Sequence, residues 1–296
     1  MIDKGPNTDN MICLITGGTS GIGAAAARQL ACLGTTVIIV GRNVKKCVHQ
    51  VKRIKHSNPD ARVDFLLADL SSQRQVRQLA REFTSRYSHL DVLINNAGAI
   101  FTKRAVSVDG LEMTFALNHL GYFLLTNLLL DRLKASTSAR IINVSSSAHI
   151  QGKMNFEDLQ SEHSYNCIQA YAQSKLANLL FTYALARRLE GTHVTVNALH
   201  PGIVATNFGS NDNWLKTKLR NILKRKMISP EEGAKTMVYI ATSPDVECIT
   251  GNYFYDCKVI RSSEESYNIT NAEKLWLLSE SLTGFHLESN RRDGSS

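Results

Sequence analysis

Hydrophobic residues along this 296-residue chain follow two alternating spacings. Short continuous apolar runs of strand length occupy residues 11–16, 36–40, 63–67, 92–95, 140–144 and 193–199. Between them lie longer stretches, such as 73–87 and 111–133, in which apolar positions recur every third or fourth residue. That is the period of a helix with one buried face. Runs such as Cys13-Leu14-Ile15 and Val37-Ile38-Ile39-Val40 are apolar throughout, which suits strands of a parallel sheet covered on both faces. Alternating units of this kind predict the α/β class: a single-domain, doubly wound parallel sheet of about seven strands with helices on both faces. Ser229-Pro230-Glu231-Glu232 reads as the start of a last helix, and residues 252–255 as a seventh strand. Residues 11–285 are expected to form one domain, and the polar residues 286–296 a disordered tail.

Composition changes this picture little. Hydrophobic residues make up 43% and charged residues 20% of the chain, ordinary for a globular protein with a full core. The net charge of +8 comes from scattered positions and one dense run at 216–226. No recognition motif or interleaved aromatics accompany it, so nucleic acid is not an expected partner. The six cysteines show neither CxxC nor metal-ligand spacing, so no metal site is expected and a reducing, cytoplasmic setting is. The N-terminal residues are polar, and no run reaches the length of a membrane span.

Chemistry first appears at Thr16-Gly17-Gly18-Thr19-Ser20-Gly21-Ile22-Gly23, between the first strand and a helix. Glycines there let the backbone turn sharply and approach a pyrophosphate, which the helix N-terminus attracts. A tight turn uses glycine for steric reasons too, but the strand–turn–helix context favours a dinucleotide and a Rossmann-type sheet. The second strand ends Val40-Gly41-Arg42-Asn43, with no carboxylate for a ribose 2′-hydroxyl. Arg42 instead suits a 2′-phosphate, so NADP(H) is favoured over NAD(H). Asp69 and Leu70 follow the third strand, where the carboxylate either accepts from an adenine amino group or starts the cap at Ser71 and Ser72. Asn95-Asn96-Ala97-Gly98 ends the fourth strand, as a ligand crevice or an Asn-rich turn.

Tyr171 and Lys175 lie four apart in a helical pattern, 170–188, and therefore share a face. A free phenol, with pKa about 10, is a poor base at neutral pH, and lowering it by ~3 units needs ~4 kcal/mol. One ammonium at ~4 Å and an effective dielectric of ~20 supplies about that much. Ser145-Ser146-Ser147 follows the fifth strand, where a hydroxyl either caps the strand end or holds a substrate oxygen while the phenol exchanges a proton with it.

Together these residues resemble the short-chain dehydrogenase/reductases, over about 11–255. The resemblance rests on Thr16–Gly23, Asn95–Gly98, Asn118, the serine run, Tyr171-x-x-x-Lys175 and Pro201-Gly202. It implies an NADP-dependent alcohol dehydrogenase or carbonyl reductase. Tyr171 would be the acid/base, and Lys175 would lower its pKa and hold the nicotinamide ribose. Ser146, chosen by alignment of the segment before Tyr171, would orient the carbonyl, and Asn118 would maintain the site and a relay water. Gly17, Thr19, Ser20, Gly21, Ile22, Gly23, Arg42, Asp69, Leu70, Asn95, Ala97 and Gly98 would line the cofactor with Tyr171 and Lys175, while Pro201, Gly202 and Thr206 approach the carboxamide. Within the family the chain is similar to retinol dehydrogenase-like members and their polyprenol-handling relatives, through Asn118-His119-Leu120-Gly121-Tyr122-Phe123, Ser145-Ser146-Ser147-Ala148-His149 and residues 170–176. It departs from many of them in showing no N-terminal anchor helix.

The implied substrate is an apolar alcohol, aldehyde or ketone: a retinoid, prenol, steroid or lipid-derived carbonyl. Self-association is left open. A regulator that binds cofactor without catalysis is the competing reading, which loss of Tyr171 or Lys175 would have favoured. Trp214, Leu215, Leu219, Ile222 and Leu223 recur at helical spacing among Lys216, Lys218, Arg220, Lys224 and Lys226. This pattern suits a lid helix packed on the body, or one that also rests peripherally on the cytoplasmic face of an internal membrane.

Overall fold

The computed structural model describes residues 8, 10–204 and 228–286. Its strands are β1 (Ile12–Thr16), β2 (Thr36–Gly41), β3 (Val63–Leu67), β4 (Val92–Asn95), β5 (Ala139–Val144), β6 (Val194–Leu199), β7 (Tyr253–Tyr255) and β8 (Lys258–Ile260). They form one sheet in the order β3-β2-β1-β4-β5-β6-β7-β8. All neighbouring pairs are parallel except β7 with β8. The order reverses between β1 and β4. In an open α/β sheet the crevice beyond the carboxyl ends of the strands at that point is where ligands bind.

The continuous apolar strands divide their side chains between two cores by simple alternation. Leu14, Ile38, Leu93, Ile141 and Val196 face a layer built from helix α3 (Gln73–Arg86), the helix Gly121–Leu128 and the long helix Cys167–Arg188. Cys13, Ile15, Val37, Ile94, Ile142 and Leu199 face the opposite layer, with α1 (Gly21–Cys32), α2 (Val44–Ser57) and the helix Pro230–Thr242. Cys13 is fully buried, and burial raises its thiol pKa, so it acts as a small hydrophobe.

Three elements differ from the sequence reading. An eighth strand, antiparallel, follows a hairpin turn in which Asp256 and Cys257 both adopt positive φ; three largely exposed residues carried no periodic signal. The helix at Pro230 has the expected Ser229–Glu232 capping box, but it is not the last, because Ile269–Thr283 folds as a further helix. The stretch 111–133, expected as one helical segment, contains a wide turn, Ala116–Leu120, with π-type hydrogen bonding. Such insertions in helices recur at functional sites, and this one carries Asn118.

Candidate active site

Val144 ends β5, and Ser145 continues its ladder by donating its backbone N–H to the Leu199 carbonyl at 2.7 Å. The buried Ser145 hydroxyl donates to the Lys175 carbonyl at 2.8 Å. Ser146 turns outward and caps the short turn Ser147–Gln151, its Oγ accepting from Ala148 N at 3.2 Å. The same side chain hydrogen-bonds the Tyr171 phenol. Of the three serines, Ser146 is the one that meets the tyrosine.

Tyr171 and Lys175 project from the first half of the helix Cys167–Arg188, whose N-terminus is capped by Asn166 accepting from Ile168 N and Gln169 N. The Lys175 ammonium is buried (2% exposed). It lies 5.7 Å from the centroids of both the Tyr171 and Tyr122 rings and donates to the Val144 carbonyl at 2.9 Å. Burial lowers its pKa to about 7. The phenol of Tyr171 moves the other way, pushed up to about 12 by burial and pulled back in part by Ser146. At ~6 Å a full ammonium contributes about 3 kcal/mol to a phenolate at an effective dielectric of ~20. Burial also works against the charge on Lys175, which weakens that contribution. Desolvation therefore dominates, and the resting phenol is an acid.

Asn118 joins the two halves of the site. Its Oδ1 accepts from Ala99 N at 2.9 Å, and its Nδ2 donates to the Ala99 carbonyl at 2.9 Å and to Ser174 Oγ at 3.0 Å. The side chain thereby pins the loop after β4 to the tyrosine helix. Gly98 lies in that loop, where a Cβ would sit 3.2 Å from Asn118 Oδ1 and 3.4 Å from Lys175 Nζ.

The glycine-rich turn packs against the same loop. Gly17 has φ of +67°, and a Cβ on it would meet the Ala97 Cα at 2.9 Å. Asn96 fastens the turn by donating Nδ2 to the Thr16 carbonyl at 2.8 Å, while the Thr16 hydroxyl accepts from Asn96 N and Ala97 N. Thr19, Ser20, Gly21, Ile22 and Gly23 lead into α1. Ser20 makes no side-chain cap there, and the first turn carries no acidic residue. An uncapped, unneutralised helix start at the sheet's switch point fits a pyrophosphate. Arg42 is exposed at the end of β2, 3.9 Å from Asp69, a distance that leaves the guanidinium open to a phosphate.

Asn95 is fully buried, its amide donating to Thr126 Oγ1 and Asn143 Oδ1 at 2.9 Å each; its side chain is withdrawn from the crevice because it ties β4 to β5. Asp69 Oδ1 accepts from both Ser71 N and Ser71 Oγ, a turn just ahead of α3, while Ser72, which starts that helix, makes no side-chain cap. Leu70 is buried beside it. Pro201 and Gly202 follow β6, with Gly202 N donating to His200 Nδ1 at 3.2 Å. Thr206 and the whole 214–226 pattern lie outside the described residues. Sequence reasoning missed Asn96, Tyr122 and His149. All three stood inside quoted motifs, but nothing in their spacing singled them out from the residues beside them.

The family profile for short chain dehydrogenases matches residues 11–215. The chain belongs to that family. Retinol dehydrogenase 14 of Mus musculus is 45% identical over 284 residues, covering 92% of this chain and 85% of its own length. Polyprenol dehydrogenase of Homo sapiens is 42% identical, covering 94% and 87%. Among solved structures, an uncharacterised protein from Mycobacterium Paratuberculosis superposes with a TM-score of 0.78 at 34% identity, covering 95% of this chain and 96% of that one. RhlG of Pseudomonas aeruginosa, solved with NADP in its active site, gives a TM-score of 0.67 at 29% identity, covering 83% and 94%. This short chain dehydrogenase is thus an oxidoreductase-family protein on a Rossmann-type sheet, similar to retinol and polyprenol dehydrogenases. No helix among the described residues is long and apolar enough to cross a membrane.

Proposed function

We propose that the chain is an NADP(H)-dependent oxidoreductase acting between an apolar alcohol and the corresponding aldehyde or ketone. The observation that carries this reading is the Ser146–Tyr171 hydrogen bond beside the buried Lys175, at the carboxyl edge of the sheet. Bound NADP(H) supplies or accepts the hydride. Ser146 holds the substrate oxygen, and Tyr171 exchanges the proton with it. A phenol pushed up to about 12 keeps its proton at neutral pH, which suits donation to a carbonyl. Alcohol oxidation requires the phenolate, which the site favours only when Lys175 is charged and further positive charge lies near the ring. Asn118 keeps the β4 loop and the tyrosine helix in register, and Arg42 reads a 2′-phosphate through its exposed guanidinium.

An apolar substrate is supported by the residues around these loops. Ile150, on the turn after Ser146, is 67% exposed, and Ile203, after Gly202, is 37% exposed. Tyr255 is exposed beside Gly202. Retinol and polyprenol in the relatives' names agree with this lining. The basic run at 216–226 supports peripheral membrane contact on sequence alone. The test is purified protein with NADPH or NADH and a panel of all-trans-retinal, farnesal, steroid ketones and small aldehydes, followed by cofactor absorbance. Turnover of the apolar carbonyls with NADPH is expected. Turnover of none, or of small polar aldehydes alone, contradicts the reading.

A further inference from the structure

His149 is almost wholly buried (1% exposed). Its two ring nitrogens meet groups of fixed polarity. Nδ1 lies 2.6 Å from the carbonyl oxygen of Ser146, which can only accept. Nε2 lies 3.1 Å from the backbone nitrogen of Ser263, which can only donate. One protonation state satisfies both: the neutral ring with its hydrogen on Nδ1. The Tyr253 ring closes the third side, edge-on at 5.1 Å between centroids, with its hydroxyl 3.5 Å from Nδ1, where it can accept a share of the same hydrogen. Burial disfavours the charged ring, as this arrangement requires.

Ser263 is itself held. The Ser262 hydroxyl lies 2.6 Å from Tyr183 Oη and 2.6 Å from Ser266 Oγ. Ser266 Oγ donates to the Ser263 carbonyl, and Tyr267 stacks on Tyr183 with centroids 5.1 Å apart. Tyr183 belongs to the helix that carries Tyr171 and Lys175. The connections therefore close a ring: Tyr171 to Ser146, Ser146 to His149, His149 to Ser263, and Ser262 back to Tyr183. Ser146 lies just past β5 at the start of a short turn, and its carbonyl accepts from the His149 backbone N–H at 3.1 Å as well as from the His149 ring.

We infer that His149 is a positioning residue: it fixes the Ser146 hydroxyl against Tyr171 by holding the Ser146 carbonyl, and it anchors that hold on the C-terminal segment Ser262–Tyr267. This rests on the proposed oxidoreductase reading. The ring's two hydrogen bonds make distinct contributions. The bond to Ser146 sets the geometry of the reacting groups, whereas the bond to Ser263 fastens the C-terminal segment.

The two bonds can be separated by substitution. In His149→Asn the amide nitrogen falls where Nδ1 was and can still donate to Ser146; in His149→Gln the amide oxygen falls where Nε2 was and can still accept from Ser263. The full chain and both variants are assayed with NADPH and farnesal, and hydrogen–deuterium exchange is followed in peptides covering 145–151 and 262–267. His149→Gln is expected to lose kcat by ~10- to 100-fold, the cost of a misplaced reacting group, with KM within about threefold. Peptide 145–151 exchanges faster and 262–267 is unchanged. His149→Asn is expected to keep kcat within about threefold, with faster exchange confined to 262–267. Equal losses of kcat in the two variants, or no loss in either, overturn the inference. If the unsubstituted protein turns over no carbonyl, the proposed function fails and exchange alone decides. Loosening of 145–151 in His149→Gln only supports the clamp, and the same response in both variants removes it.

Discussion

The Ser146 hydroxyl and the Tyr171 phenol share a hydrogen bond, although twenty-four residues lie between them in the chain. The contact is made possible by β5 ending at Val144 and by the capped helix start at Asn166. Ser145, one position earlier, instead donates to the Lys175 carbonyl. Neighbouring serines thus have separable duties. Ser146→Ala is expected to lower kcat by ~10²-fold, within the range of a lost acid–base partner. Ser145→Ala is expected to cost about 1 kcal/mol of stability, a buried hydrogen bond, with a much smaller effect on kcat. Kinetics and urea midpoints on the two variants check this, and the reverse assignment would contradict it.

Cofactor choice is expected to follow Arg42. Arg42→Ala should raise KM for NADPH by at least ~10-fold, the loss of a charge-assisted phosphate contact. KM for NADH, which has no 2′-phosphate, should change little. Equal effects on both cofactors would show that Arg42 does not read the phosphate.

Lys175 is expected to be held at a cost to the fold. Its pKa is about 7 when folded, against 10.5 ordinarily. Between these values the unfolded chain binds more protons, so stability rises with pH across that window and the burial cost is fully present below pH 7. That cost, about 5 kcal/mol, exceeds the ~1 kcal/mol of one hydrogen bond to Val144. Lys175→Met should therefore unfold at higher urea than the unsubstituted protein at pH 7, by about 2 kcal/mol or more, while losing turnover. A destabilised Lys175→Met would show that the ammonium stabilises the fold.

His119 gives a slope of the same sign on the acid side, where stability is lost as pH falls. It is fully buried, with its Nε2 3.0 Å from Ser279 Oγ on the last helix, and desolvation lowers its pKa to about 4 from 6.5. The unfolded chain binds more protons between those values, so this stability is present above pH 6.5 and falls as pH drops towards 4, by about 3 kcal/mol. His200, also held near 4, adds a slope of the same sign. His119→Gln should flatten the decline in urea midpoint between pH 6.5 and 4. An unchanged slope would place the lability elsewhere.

Much of the sheet was legible because parallel strands buried on both faces are continuous apolar runs, and β3 and β4 match the expected bounds residue for residue. The short antiparallel β8 was not, since its residues are mostly exposed. The Tyr171–Lys175 pair was legible as a helical spacing, but the balance of charge was not. Proximity on a helix face suggested a lowered phenol pKa, whereas the burial of both groups, which no spacing reports, raises it. Asn95 and Asn96 illustrate the same limit. Adjacent in an Asn-rich strand end, they point to opposite surroundings, one into the sheet and one onto the glycine turn, and composition cannot say which.

Tyr171 is proposed to exchange the proton in hydride transfer. The most direct test is Tyr171→Phe beside the unsubstituted protein, with NADPH binding measured by fluorescence and turnover of farnesal and all-trans-retinal by cofactor absorbance. NADPH affinity is expected to stay within about threefold and kcat to fall by 10²–10⁴-fold, roughly the contribution of a general acid. A variant that turns over these carbonyls within a few-fold of the unsubstituted rate would contradict that role.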